Sequence, residues 1–264
     1  MNAFSYRVQT LQPSAIREIL KFTADPEVIS FAAGNPAPEA FPTEEIARIT
    51  NEILTTTPID ALQYSITEGY TPLRNWIKDD LKKKGMFNEN DEDVVITSGA
   101  QQAIEVVTKE ICNEGDTIIC EAPTFIGSLN AFRSYNAKLV GVEMEDDGIN
   151  IDKLEKALIE NPRTAFIYLI PNFQNPTGKT MSLEKRKAVL ALAQKYNVYI
   201  LEDNPYGDLR YIGENVPTIK SLDKNGNVLY AGTFSKTLAP GLRVGYLCAP
   251  VSYTHLRAHE TLAN

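Results

Sequence analysis

The sequence predicts an α/β fold: a mostly parallel, seven-stranded sheet with helices on both faces. Three observations carry that prediction. From Val94 onward, short apolar strand patterns alternate with helical patterns, the signature of βαβ units. Two runs, Ala165–Ile170 and Val198–Leu201, are continuously apolar, as strands covered on both faces are. Finally, 264 residues of which 43% are apolar can bury a core without disulfides or structural metal.

The first ninety residues read as helices and loops. Ser14 caps a stretch with Ile16, Ile19 and Leu20 at helical spacing, and a Pro- and Gly-rich segment follows at 31–38. Thr43 opens a helix with Ile46, Ile49 and Ile53 on one face. Thr71-Pro72 is an N-cap and first-turn pair, Leu73, Trp76, Ile77 and Leu81 form the buried stripe behind it, and Gly85 ends the helix. The alternation then begins: strand 94–97, helix 100–113 closed by Gly115, strand 117–120, helix 125–134, strand 138–142. Asp152 caps a helix to Glu160 that Asn161-Pro162 stops. Strand 165–170, helix 182–196, and strands 198–201, 228–231 and 244–248 complete the series. The connection from Ala231 to Val244 is short for a helical crossover, so the last strand is expected to run antiparallel.

Composition removes several function classes. Lys plus Arg is 26 against 34 for Asp plus Glu, a net charge of −8, with no basic stripe for nucleic acid. The run Lys82-Lys83-Lys84 reads as a helix C-terminus facing its own dipole, and the acidic stretches 88–93 and 143–147 as solvated loops. Both histidines, His255 and His259, fall in the last fourteen residues, which leaves no histidine metal site or Ser-His-Asp triad in the body of the chain. Three cysteines, Cys112, Cys120 and Cys248, lie on apolar faces and form no disulfide framework. No apolar run reaches the roughly 18 residues of a membrane span, and the N-terminus shows no secretory signal, so a cytoplasmic protein is expected.

In open α/β sheets the site lies beyond the carboxyl ends of the parallel strands, so the loops there hold the candidates. Ser98-Gly99-Ala100-Gln101 opens a helix whose free N–H groups suit an anion, or is an ordinary capped turn. Asn175, in 171–178 (Pro-Asn-Phe-Gln-Asn-Pro-Thr-Gly), is either turn chemistry or an amide held for a ligand. Glu202-Asp203 ends a buried strand and is either a cap or a partly desolvated carboxylate that needs a cationic partner. Gly232-Thr233-Phe234-Ser235-Lys236 with Gly241-Leu242-Arg243 offers hydroxyls and two cations, and a lysine so placed can be a nucleophilic amine.

Taken together these blocks resemble the class I/II aminotransferases, the fold type I enzymes that use pyridoxal 5′-phosphate (PLP), and within them the 2-aminoadipate and kynurenine aminotransferase branch. Asn-Pro-Thr-Gly at 175–178 and Thr-Phe-Ser-Lys followed by Gly-Leu-Arg at 233–243 are the most specific marks. The resemblance implies that Lys236 links covalently to PLP and then moves the proton between Cα and the cofactor, and that Asp203 keeps the pyridine nitrogen protonated. It implies that Asn175 and Tyr206 bond the 3′-oxygen and that Phe125 stacks on the ring. Gly99, Ala100, Gln101, Thr233, Ser235 and Arg243 would hold the phosphate. Tyr64 would reach the phosphate of a neighbouring subunit, which implies a homodimer with shared sites, and Gly34 and Asn175 would line the substrate side. Glu202 is expected to be a cap or a partner behind the site, not a catalyst.

The implied activity is ping-pong transfer of an amino group from an L-amino acid of 2-aminoadipate, aromatic or branched-chain type to a 2-oxo acid such as 2-oxoglutarate. A PLP-dependent lyase, or a fragment that only binds PLP, is the alternative. The implied organisation is an N-terminal arm and small-domain segment at 1–60, a PLP-binding large domain at 61–250 and a non-family tail at 251–264. The tail reads as foreign sequence, with most of the small domain missing. No residue, Arg257 included, can be assigned as the arginine that clamps the substrate carboxylate, so slow transamination by this chain is expected.

Overall fold

A computed structural model describes residues 27–29 and 34–252. The helix expected after Ser14, residues 31–33 of the Pro- and Gly-rich segment and residues 253–264, with both histidines and Arg257, lie outside the described residues.

In chain order the elements are α1 Thr43–Thr56, α2 Pro58–Leu62, α3 Thr71–Lys83, β1 Glu92–Ser98, α4 Ala100–Ile111, β2 Thr117–Ala122, α5 Ile126–Ser134 and β3 Lys138–Glu145. Then follow β4 Gly148–Ile149, α6 Ile151–Glu160, β5 Thr164–Leu169, α7 Leu183–Tyr196, β6 Tyr199–Asp203, α8 Ile219–Leu222, β7 Val228–Thr233 and β8 Val244–Pro250. The strands form one sheet in the order β1-β8-β7-β6-β5-β2-β3-β4. The seven expected strands are all present; the eighth, β4, adds two residues antiparallel to β3. β8 is antiparallel to both β7 and β1, as its short connection requires. β1, β7, β6, β5, β2 and β3 therefore all run the same way, and their carboxyl ends share one edge.

The sheet is covered on both faces. Along β5, Ile167 and Leu169 pack with Leu154, Leu158, Val189 and Ala193 of α6 and α7, while Phe166 and Tyr168 pack with Ala103, Ile104, Val107 and Phe132 of α4 and α5. Period-two alternation within one unbroken apolar run is what two covered faces demand. Beneath the β1–β8 end, Ile77, Leu81 and Met86 cover Val94, Tyr230 and Cys248. All three cysteines are free and buried.

Several local expectations are corrected. Trp76 is not part of the buried stripe: it is 57% exposed and leans on Phe234, at 6.1 Å between ring centroids, because α3 turns Leu73, Arg74, Ile77 and Leu81 toward the sheet and leaves Trp76 at the edge of that face. Thr71 is already helical and Tyr70 holds the N-cap position. Asn150, not Asp152, caps α6, its side chain accepting the N–H of Lys153 at 2.8 Å. The acidic stretches are not simple solvated loops, since Glu92 and Asp93 begin β1 and residues 143–145 end β3. Asp93 is half-buried and pairs with Arg74 at 2.6 Å and with Lys78 at 2.5 Å. On α1 no residue is buried, and its apolar side leaves Ile49 and Ile53 about two-fifths exposed (41% and 39%). Among the described residues no helix is long and apolar enough to cross a membrane.

Candidate functional site

The shared edge of the sheet gathers the candidates from six strands. Gly99, Ala100 and Gln101 follow β1; Phe125 follows β2; Asn175 follows β5; Asp203 ends β6 and Tyr206 follows it; Thr233 ends β7, with Ser235 and Lys236 beyond; Arg243 immediately precedes β8. Because β8 is antiparallel, its first residue sits at the edge where the others finish, and Val244 pairs with Ser98.

At the β1 end, Gly99 is in the left-handed region (φ +75°) and sits at the N-cap of the 12-residue α4. The left-handed backbone there favours glycine, and a Cβ would push the Arg243 guanidinium away from the start of the helix. Arg243 is itself left-handed (φ +52°), and its Nη2 donates to the Ser98 carbonyl at 3.2 Å. The Gln101 amide donates to the Gly127 carbonyl at 3.2 Å, tying the helix start to the loop of Phe125. Across from it, Thr233 Oγ1 donates to Ser235 Oγ at 2.9 Å and accepts the Ser235 N–H at 3.1 Å. Free helix N–H groups, two hydroxyls and a guanidinium are the donors an anion would take.

The floor of the site is Asp203. Its Oδ2 accepts the Tyr168 hydroxyl at 2.7 Å, and Tyr168 in turn accepts from Ser128 Oγ at 2.8 Å. Its Oδ1 is buried and has no partner among the described residues. Burial pushes the Asp203 carboxyl up to about 6, with the Tyr168 hydrogen bond working against that rise. Asn175 Nδ2 donates to the Tyr206 hydroxyl at 3.2 Å, which brings two predicted residues together from separate loops. Burial raises the Tyr206 hydroxyl from its ordinary value, while the Asn175 bond lowers it and the Asp203 charge raises it. Lys236 is half-buried.

Two predicted residues do not join this cluster. Tyr64 is 99% exposed, and Gly34, at φ +53°, is exposed in the turn before the first 3₁₀ segment. Glu202 behaves as expected of a cap: buried, it accepts the N–H groups of Ile219 at 3.1 Å and Lys220 at 2.7 Å.

Sequence reasoning missed the supports. Arg186, fully buried on α7, donates to the carbonyls of Met181, Pro171, Val216 and Pro217 and to Asn172 Oδ1. Asn172 then donates to Asn204 at 3.0 Å and Asn204 to the Tyr230 hydroxyl at 2.9 Å, lacing together the ends of β5, β6 and β7. Tyr168 had one available signal, a lone hydroxyl inside a run otherwise free of polar atoms.

The family model for Aminotransferase class I and II matches residues 26–262, which reaches into the segment 251–264 set apart above. The chain is 44% identical over 250 residues to aromatic-amino-acid aminotransferase 1 of Thermococcus litoralis, covering 93% of this chain and 60% of that protein. The structure superposes on the kynurenine aminotransferase of Pyrococcus horikoshii, solved in complex with PMP, with a TM-score of 0.92 at 38% identity, over 99% of this chain and 65% of that one. An α-aminoadipate aminotransferase from Thermus thermophilus, complexed with N-(5′-phosphopyridoxyl)-L-leucine, gives 0.87 at 36% identity over 98% and 64%. The chain thus spans about 60% of the length of the curated relatives it matches.

Proposed function

The chain belongs to the class I and II aminotransferase family, and on that premise we propose that its sheet-edge site holds PLP and serves amino transfer from an L-amino acid to a 2-oxo acid. The observation that carries the reading is Asp203. A buried carboxylate oxygen without a partner is costly, and a protonated ring nitrogen is a group that relieves that cost. The remaining residues fit the same cofactor. The α4 N-terminus with Arg243, Thr233 and Ser235 matches a phosphate dianion in charge and in donors.

When bound, PLP supplies an electron sink for a carbanion at the substrate Cα. The chain's own residues do the rest. Asp203 holds a proton on the ring nitrogen, and Tyr168 and Ser128 keep the carboxylate oriented for it. Asn175 and Tyr206, bonded to each other, would supply donors for the 3′-oxygen. Phe125 would cover the ring face, and Gly99, Ala100 and Gln101 would anchor the phosphate from the helix start. Lys236 would supply the amine for covalent attachment and the base that takes the proton from substrate Cα and passes it to the cofactor. Exposed Tyr64 reaches a neighbouring subunit's site in a homodimer, and Gly34 lines the substrate carboxylate. The donor is an L-amino acid of 2-aminoadipate, aromatic or branched-chain type and the acceptor a 2-oxo acid such as 2-oxoglutarate, in a ping-pong cycle; relatives named for aromatic amino acids, 2-aminoadipate and kynurenine support the first two donor types.

The test is product analysis with PLP, each donor type and 2-oxoglutarate. Equimolar glutamate and donor-derived 2-oxo acid support the reading. Ammonia, thiol or CO₂ release instead would establish a lyase, and PLP binding without turnover would reduce the function of this chain to cofactor binding.

A further inference from the structure

We propose that Glu121 is a positioning residue: acting through Gln174, it braces the loop that carries Phe125 against the loop that carries Asn175. The inference rests on the cofactor reading above and adds a residue to it.

Glu121 is the last residue but one of β2, and its side chain is 1% exposed. Its Oε2 accepts the N–H of Ile170 at 3.1 Å and the Gln174 amide at 3.3 Å. The same Gln174 Nε2 donates to the Pro123 carbonyl at 2.8 Å. Gln174 Oε1 accepts both the N–H of Thr177 at 3.0 Å and its hydroxyl at 2.7 Å. The backbone of Gln174 is pinned as well, its N–H donating to the Lys179 carbonyl at 2.8 Å. One carboxyl and one amide therefore join residues 121–123, which run directly into Thr124 and Phe125, to residues 170–179, which enclose Asn175. Gln174, like Glu121, is 1% exposed, so water does not compete for these bonds.

Several features separate this pair from ordinary polar filling. Glu121 Oε1 is buried with no partner, and among the described residues no cation pairs with Glu121. The ionisable groups whose charge acts on it or is acted on by it are Asp203 on β6, Tyr168 on β5 and Cys120 beside it on its own strand. A buried acid without a counter-charge is retained at a cost in stability, and the bonds it makes lie on the two loops that flank the proposed ring site. Burial pushes its carboxyl up to about 8, above Asp203 at about 6, so Glu121 is the more readily protonated of the two acids.

The test uses the full 264-residue chain and its Glu121→Ala, Glu121→Gln and Gln174→Ala variants. Two readouts apply: amide hydrogen exchange without cofactor, and a PLP titration. Glu121→Ala and Gln174→Ala are expected to speed exchange across 170–179 about tenfold and to raise the PLP dissociation constant about tenfold, the loss of one buried hydrogen-bonding partner. Exchange in α6 and β3 stays unchanged. Glu121→Gln keeps the acceptor and brings both values back to within about twofold of the unsubstituted chain. Unchanged exchange at 170–179 in both alanine variants overturns the brace, and so does unaltered PLP affinity in both. A chain that binds no PLP overturns the cofactor reading instead, while the exchange arm still decides whether the brace exists.

Discussion

Glu202 and Asp203 are consecutive residues on β6, both buried, and they face opposite sides of the sheet into different circumstances. Glu202 is satisfied: both oxygens accept backbone N–H groups at the start of α8, and the charges of Arg186 and Lys220 act on it favourably. Asp203 is satisfied on one side only, by Tyr168. The first carboxylate is used up in holding the fold together, whereas the second has binding capacity left over. The difference shows how one strand end serves structure on one face and chemistry on the other.

The widest separation is expected when each acid is removed. Glu202→Ala strands the N–H groups of Ile219 and Lys220 and takes a counter-charge from Arg186, which should cost about 3–5 kcal/mol of stability in urea unfolding. Asp203→Asn should change stability by no more than about 1 kcal/mol, in either direction, yet weaken PLP binding at least about tenfold. Equal losses of stability from the two substitutions would erase the comparison.

A pH scan sharpens it. The carboxyls of Glu121 and Asp203 titrate at about 8 and about 6 in the folded chain, above their ordinary 4.5 and 3.8. The folded state therefore binds these protons more tightly, and their contribution to stability is complete below about pH 4 and lost as pH rises through about 8. Asp93 and Asp116, lowered from 3.8 although burial opposes it, act in the other direction: Lys78 and Arg74 hold down the first, the Asn113 N–H and Arg163 the second. Their contribution is present above pH 3.8 and lost below it. The cofactor-free chain should melt at a higher temperature at pH 5.5 than at pH 8.5, and Glu121→Gln should flatten most of that slope.

Tyr168→Phe is expected to have a smaller effect. It removes the Tyr168 donor to Asp203, raises that carboxyl further, and should weaken PLP binding by about threefold to tenfold at a cost of about 1 kcal/mol in stability. The smallest effect is expected at Trp76: with 57% of its surface exposed, Trp76→Ser should shift stability by less than about 0.5 kcal/mol. A large loss there would return the residue to the core.

Most of the sheet was legible because continuous apolar runs and capped helices are local signals, and the site candidates because they follow those runs directly. Asn175 and Tyr206 were readable one at a time; their hydrogen bond depends on β5 and β6 being neighbours. Trp76 was misread because helical periodicity gives a stripe without saying how wide a surface covers it. Tyr168, Ser128, Glu121 and Gln174 escaped because their roles arise from pairings some 35–53 residues apart in the chain, which no local pattern encodes.

The central claim is that this strand edge is a PLP site with Lys236 as its attachment point. The most direct measurement is absorption after adding PLP, followed by borohydride reduction and peptide mapping, on the chain and on Lys236→Ala. The account predicts a visible band in the unsubstituted chain only and a phosphopyridoxyl group fixed on Lys236. A chain with a native-like circular dichroism melt that takes up no PLP, or one that fixes it equally well without Lys236, would contradict it.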